Sequence, residues 1–154
     1  MTSFHEGLHP GAAILSEANG GRSRDNMYIA ADTEFPPNTI LKVGATPTDG
    51  CIPLVAGAAG PLAYAIYGAK TDATADPLTS IACITRDAEL NRECIAWPDG
   101  FTDANKDAAA LELAKTGIIV RGSKDTVIAT SVAAAKAEGE DTGTETGGQT
   151  QPAA

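Results

Sequence analysis

The sequence predicts an α+β fold, mainly β: a small antiparallel, barrel-like sheet domain with one main helix, an extended N-terminal arm and a disordered C-terminal tail. Three observations carry this. Several short runs rich in β-branched and aromatic residues are separated by Gly, Pro, Asn and Asp. One segment alone has helical spacing behind a good cap. Both ends of the 154-residue chain lack the apolar content of a core.

The arm comprises residues 1–25. It holds Gly7, Pro10, Gly11, Gly20 and Gly21 and one short apolar stretch, Ala12-Ala13-Ile14-Leu15, before the polar Arg22-Ser23-Arg24-Asp25. Such a segment buries too little to fold alone. Extended, it reaches at most about 80 Å. Its start has no apolar block of the kind a signal peptide needs, so the expected place of synthesis is the cytoplasm.

The domain is expected over residues 26–137. Strands are predicted at Met27-Tyr28-Ile29-Ala30, at residues 39–44, 62–67 and 80–86, and, shorter, at 93–97. Phe35-Pro36-Pro37-Asn38 reads as a turn, because Pro sets φ and Asn tolerates turn geometry. Thr102 or Asp103 can cap the helix, Ala104, Ala108 and Leu111 follow at helical spacing, and Gly117 suits a left-handed stop. Ile118-Ile119-Val120-Arg121 resumes as a strand. Gly122-Ser123-Lys124-Asp125 can turn it into Thr126-Val127-Ile128-Ala129, a late hairpin. Residues 138–154, rich in Gly, Thr, Glu and Gln, form the acidic disordered tail.

Net charge is −9, from 11 Lys+Arg and 20 Asp+Glu. Phosphate backbones are bound mainly through Lys and Arg, and no basic cluster exists, which argues against direct nucleic-acid binding. No run approaches the roughly eighteen apolar residues of a membrane span. Hydrophobic residues reach 43% but much of that is Ala, and aromatics are 5%. A core of small side chains stabilises weakly for its length, and oligomerisation is one remedy.

Chemistry-bearing patterns are sparse. Cys51, Cys83 and Cys94 are odd in number and widely spaced, which reads as buried thiols rather than a disulfide framework. His5 and His9 have the i, i+4 spacing of a metal pair, but Gly7 and Pro10 oppose a helix there. Asp99, Asp103 and Asp107 read as a turn, a cap and a partner of the helix dipole. No phosphate loop is present. No catalytic residue, cofactor or metal is expected. Tyr64, Tyr67, Trp97 and Pro98 are expected in the core or at a subunit interface.

An ordered set of motifs resembles the lambda-like bacteriophage head decoration (capsid cement) family. Residues 13–20 with Arg22-Ser23-Arg24-Asp25 resemble its arm. Phe35-Pro36-Pro37-Asn38-Thr39-Ile40-Leu41-Lys42-Val43 resembles its entry strand, residues 65–73 its central strand and loop, and residues 84–90 its strand before the second half. Trp97-Pro98, followed by the helix to Gly117-Ile118-Ile119-Val120, is similar to its C-terminal block. The extension after Val120 is longer than in the lambda protein, and the acidic tail has no counterpart. The resemblance implies a structural virion protein and no enzyme. It implies a homotrimer on three-fold and quasi-three-fold sites of the outer surface of the expanded head, stabilising it against internal DNA pressure. Its partners would be its own copies and the major capsid protein, to which the arm adds a strand; Ile14, Leu15, Ser16, Glu17, Arg22 and Arg24 are the expected capsid-binding residues. Two other readings are a host-surface binding module displayed on the virion and a small cysteine-dependent enzyme using Cys94.

Overall fold

The computed structural model describes residues 8–46, 49–73 and 79–122. The late hairpin's second strand and the acidic tail lie outside the described residues. Ten strands and one α-helix follow in chain order among the described residues: β1 (Ile14–Glu17), β2 (Arg24–Tyr28), β3 (Glu34–Phe35), β4 (Thr39–Lys42), β5 (Ile52–Pro53), β6 (Leu62–Ala65), β7 (Ala69–Lys70), β8 (Ser80–Ile84), β9 (Ala88–Asn91), α1 (Asp103–Ala114) and β10 (Ile118–Arg121).

The central sheet has five strands in the order β2-β8-β6-β4-β5, all antiparallel. Its middle strand, β6, is buried on both faces, and the alternation of its side chains divides the core in two. Leu62 and Tyr64 point into the larger cluster with Ile40, Ile84, Leu90, Leu113 and Ile118. Ala63 and Ala65 face the smaller one with Ile29, Phe35, Leu41, Cys51 and Cys83. The many alanines thus have a use: they let the second layer approach the sheet closely.

A second sheet has the order β1-β9-β10, and β3 pairs with β7 in a third. The sheets are open. β10 runs parallel to β9, a departure from the antiparallel expectation shared by the single bridges Ile29–Cys51 and Thr39–Ala96. Parallel neighbours need a long crossover, and α1 supplies it, packing Ala109, Ala110 and Leu113 onto the larger cluster. Thr102 caps α1 as expected, its Oγ1 accepting the Asn105 N–H at 3.3 Å. Gly117 has φ +81°, and a Cβ there would come within 2.8 Å of the Asp87 carboxylate. Both constraints call for glycine at that stop.

Local pattern and tertiary pairing diverge at three places. The strand expected at 93–97 is instead a 3₁₀ turn, Arg92–Cys94, whose N–H at Glu93 is held by the Asn91 side chain at 3.1 Å. Only Ala96 bridges the sheet there, its N–H donating to Asn38 O. β9 lies in the gap left between the strands expected from local pattern at 80–86 and 93–97. And the arm, drawn to Asp25 from sequence, is paired well before that residue: β1 lies antiparallel to β9, and Ala13 is fully buried. A four-residue strand in which only Ile14 is half-buried leaves little amphipathic signal.

One side chain joins these parts. Asn38, buried and at φ +67°, accepts from the Gly11 N–H (2.9 Å) and the Tyr64 hydroxyl (2.6 Å) and donates to His9 O (2.9 Å). Its own N–H donates to Ala65 O and its C=O accepts from Ala96. Asn38→Ala takes their acceptor from the buried Tyr64 hydroxyl and the half-buried Gly11 N–H and leaves a non-Gly residue in a left-handed conformation. The expected loss is about 3 kcal/mol, read as a lower urea midpoint. Asn38→Gly relieves only the backbone part, so it should remain well below wild type; wild-type stability in Asn38→Gly would show that the side-chain bonds contribute nothing net.

Candidate functional site

The six residues expected to meet the capsid lie on and just after β1. Their surface is built from the edge of the three-stranded sheet, where β1 is an outer strand. Ile14 is half-buried; Leu15, Ser16 and Glu17 are exposed, Leu15 to 53%. Register is irregular between Ile14 and Ser16. A bulge there turns consecutive side chains outward, which accounts for three exposed residues in a row.

Arg24, the first residue of β2, reaches back to Glu17 in a two-bond fork, Nε to Oε2 at 2.8 Å and Nη2 to Oε1 at 2.7 Å. The Arg24 guanidinium holds the Glu17 carboxyl below the usual carboxylate range. Arg22 lies 3.7 Å from the Asp87 carboxylate. Arg86 donates to Arg22 O at 2.7 Å and pairs with Asp25. All six groups are substantially exposed, so the pairs orient the segment more than they stabilise it.

The segment's firmer anchor is Ser23, fully buried. Its hydroxyl accepts from the Ala18 N–H at 2.9 Å and donates to Asp87 O at 2.7 Å. Its backbone C=O accepts from the Thr85 N–H. One serine therefore ties the turn between β1 and β2 to the turn between β8 and β9. Sequence reasoning missed both Ser23 and Asn38. Asn38 carried a turn signal; for Ser23 nothing in the local sequence points to burial.

The other four named residues separate. Tyr64 is in the core and bonds to Asn38. Trp97 packs against the larger cluster, stacks on Phe101 with ring centroids 6.3 Å apart, and donates its indole N–H to Arg92 O at 3.0 Å. Pro98 is half-buried beside it. Tyr67 stands 53% exposed just past β6, available to a partner rather than to the core of a single chain. Other large exposed apolar side chains are Leu8, Tyr28, Ile52, Val55 and Leu111.

Among the described residues, no group of three His, Cys, Asp or Glu side chains is placed to hold a metal, and no helix is long and apolar enough to cross a membrane. Cys51 and Cys83 are buried in the smaller cluster, and Cys94 is half-buried. His9, the one described histidine, lies in the segment clasped by Asn38. The β1 edge presents the exposed Leu15 beside the oriented charges of Glu17 and Arg24.

The family model for Bacteriophage lambda head decoration protein D matches residues 3–118. The chain belongs to this family. It is a structural protein of the phage head, as the ordered motifs implied. The match takes in β1 through α1 and ends at the first residue of β10, leaving residues 119–154 beyond it. No curated protein sequence matches the chain.

The buried thiols and phenol set an alkaline limit to stability. Burial pushes Cys83 up to about 12, with the neighbouring Cys51 adding to it, and burial pushes Tyr64 up to about 12. Unfolded, these groups ionise near ~8.5 and ~10. The folded state therefore holds protons that the unfolded state releases, and stability falls as pH rises from about 8.5 toward 12. The urea midpoint should drop across this range, and Tyr64→Phe should flatten the portion above about pH 10. At neutral pH, iodoacetamide should label Cys94 well before Cys51 or Cys83; equal labelling of all three would show that the smaller cluster opens readily.

Proposed function

We propose that the protein is a homotrimeric cement, bound to the outer surface of the expanded head at three-fold and quasi-three-fold sites and stabilising the shell against the pressure of packaged DNA. Membership of the decoration family is the observation that carries this reading. The geometry of β1 supports it. An edge strand offers backbone donors and acceptors to a capsid strand, with alternate side chains for specificity, and Leu15 is an apolar anchor beside it. The segment ahead of Gly11 leads directly into this edge.

A trimer presents three such arms. Each contact can be weak, because linked contacts bind at high effective concentration. A ligand that binds the assembled shell and not its separated parts stabilises the shell by mass action. Bridging neighbouring capsomers would oppose their separation, which is how an overfilled shell fails. Sites created only by expansion would make binding specific to that stage.

The central test is DNA release from heads against temperature, with and without saturating protein. Decorated heads should release DNA at a higher temperature, in proportion to occupancy. Identical curves at full occupancy would defeat the cement role, and binding to host cells instead of heads would move the protein to the adhesion reading.

The arm divides into two parts with separable tests. Removing residues 1–7 keeps the Asn38 contacts to His9 and Gly11, so the unfolding midpoint should stay while head affinity falls. Leu15→Asp should weaken head binding about tenfold or more, equivalent to about 1.4 kcal/mol, with little change in folding. Unchanged affinity in both variants would sink strand addition through this edge.

A further inference from the structure

The turn between β1 and β2 is held at its neck and open at its tip. At the neck, the Ala18 N–H lies 2.9 Å from the buried Ser23 hydroxyl and 3.0 Å from Asp87 O. At the tip, residues 19–22 are exposed. Asn19–Gly21 form a 3₁₀ turn there, with Gly20 at φ +77° and Gly21 at φ +71°. A Cβ built on either glycine would have no described atom within 4 Å, so the Asn19 side chain has room to swing.

Asn19 alone among the asparagines of the sequence is followed by glycine. The carboxamide carbon of an asparagine is open to attack by the backbone nitrogen of the next residue, and a glycine there puts no side chain in the way. A 3₁₀ turn bonds each carbonyl to the N–H three residues on, so its first N–H groups take no partner within it. The Gly20 N–H is one of these, and Ala18 at the cap position offers no side-chain hydrogen bond.

We propose that Asn19-Gly20 is a site of spontaneous deamidation through a succinimide. The Gly20 nitrogen bonds to Asn19 Cγ and gives up its proton to water or hydroxide. The Cγ–Nδ2 bond breaks, and Nδ2 takes a proton from water and leaves as ammonia. Water then opens the ring. Cleavage between the Gly20 nitrogen and Cγ leaves aspartate. Cleavage between that nitrogen and the main-chain carbonyl carbon leaves isoaspartate, in which the main chain runs through the side chain. Water is the only co-reactant.

The other asparagines are placed differently. Asn38 is buried, its carboxamide is bonded to Gly11, His9 and Tyr64, and the β-branched Thr39 follows it. The Asn91 Oδ1 accepts the Glu93 N–H. Asn26 lies within β2 and Asn105 within α1, where the ladder and the helix fix the backbone torsions that the attack must change.

Either product puts a carboxylate where a neutral amide stood, in the turn that follows the β1 edge. Isoaspartate also adds a carbon to the main chain, inside a turn whose ends the Ser23 hydroxyl holds together. The consequence rests on the cement reading: conversion in copies not yet on a head disturbs the placing of Glu17 against Arg24 and weakens docking of this edge, so free copies lose binding with age.

Peptide mapping by mass spectrometry, on the full chain stored in warm neutral buffer, tests the site without any head. Asn19 should convert in the folded chain at close to its rate in urea, whereas Asn38 should convert only in urea. A folded chain that keeps Asn19 intact while the urea-unfolded chain loses it would overturn the site. Asn19→Gln must close a larger, more slowly formed ring and should abolish the early conversion.

Binding to undecorated heads reads the consequence separately. Stored wild type should bind more weakly than fresh wild type, and stored Asn19→Gln should bind as well as fresh Asn19→Gln. Fresh Asn19→Asp carries the charge without the added carbon, so full binding by it alone assigns the loss to isoaspartate. Equal binding of fresh and converted wild type would overturn the loss of docking and leave the site standing. Failure of fresh protein to bind heads would defeat the cement reading and this consequence with it, while the mapping result stands.

Discussion

The carboxamide of Asn38 is the contact on which the architecture depends. It stands at the entry to β4, in a left-handed conformation that asparagine tolerates better than most residues, and it is buried with every polar atom bonded. Through it the segment that leads into β1, the hydroxyl of the central Tyr64, and the chain entering Trp97 meet at one point. A buried amide left half-satisfied would cost more than an apolar residue. Its full satisfaction therefore specifies one placement of the N-terminal segment and excludes near neighbours of it. Ser23 repeats the device at the far end of β1, so this strand is clasped at both ends by side chains from outside its own sheet partner.

That clasping shapes the thin core. The central strand β6 sends Leu62 and Tyr64 to one side and Ala63 and Ala65 to the other. Bulk is concentrated where α1 and the three-stranded sheet cover it, and the opposite face is closed by short strands over alanines and thiols. The hydrogen bonds of Asn38 and Ser23 add a specified geometry to these clusters. The parallel β9–β10 pair follows from the same economy of length: one helix serves both as the crossover and as the cover of the larger cluster.

For a head decoration protein this division has a use. Under the proposed function, an edge strand already placed presents one geometry, so less ordering entropy is lost when a partner strand adds. β1 is already in place in the single chain, paired with β9. The ion pairs around Glu17, Arg24, Arg22 and Asp87 lie beside this edge. Being exposed, they can exchange partners with a docked surface at small cost.

The sequence by itself determined the family, through ordered motifs, and the elements whose signals are local. The α1 cap at Thr102, the stop at Gly117 and the central strands β4, β6 and β8 depend on residues within a few positions of one another, and their spacing was legible. Tertiary structure alone decided β1, β9, the parallel course of β10 and the 3₁₀ turn at Arg92–Cys94. It also decided the roles of Asn38 and Ser23, whose partners lie up to 29 and 64 residues away. Of the six expected capsid-binding residues, the sequence named the positions but not their setting on a fixed sheet edge. Capping and burial periodicity are properties of a segment, so spacing reveals them. Which distant backbone group a short polar side chain will satisfy is settled only when the layers pack and leave that group without water.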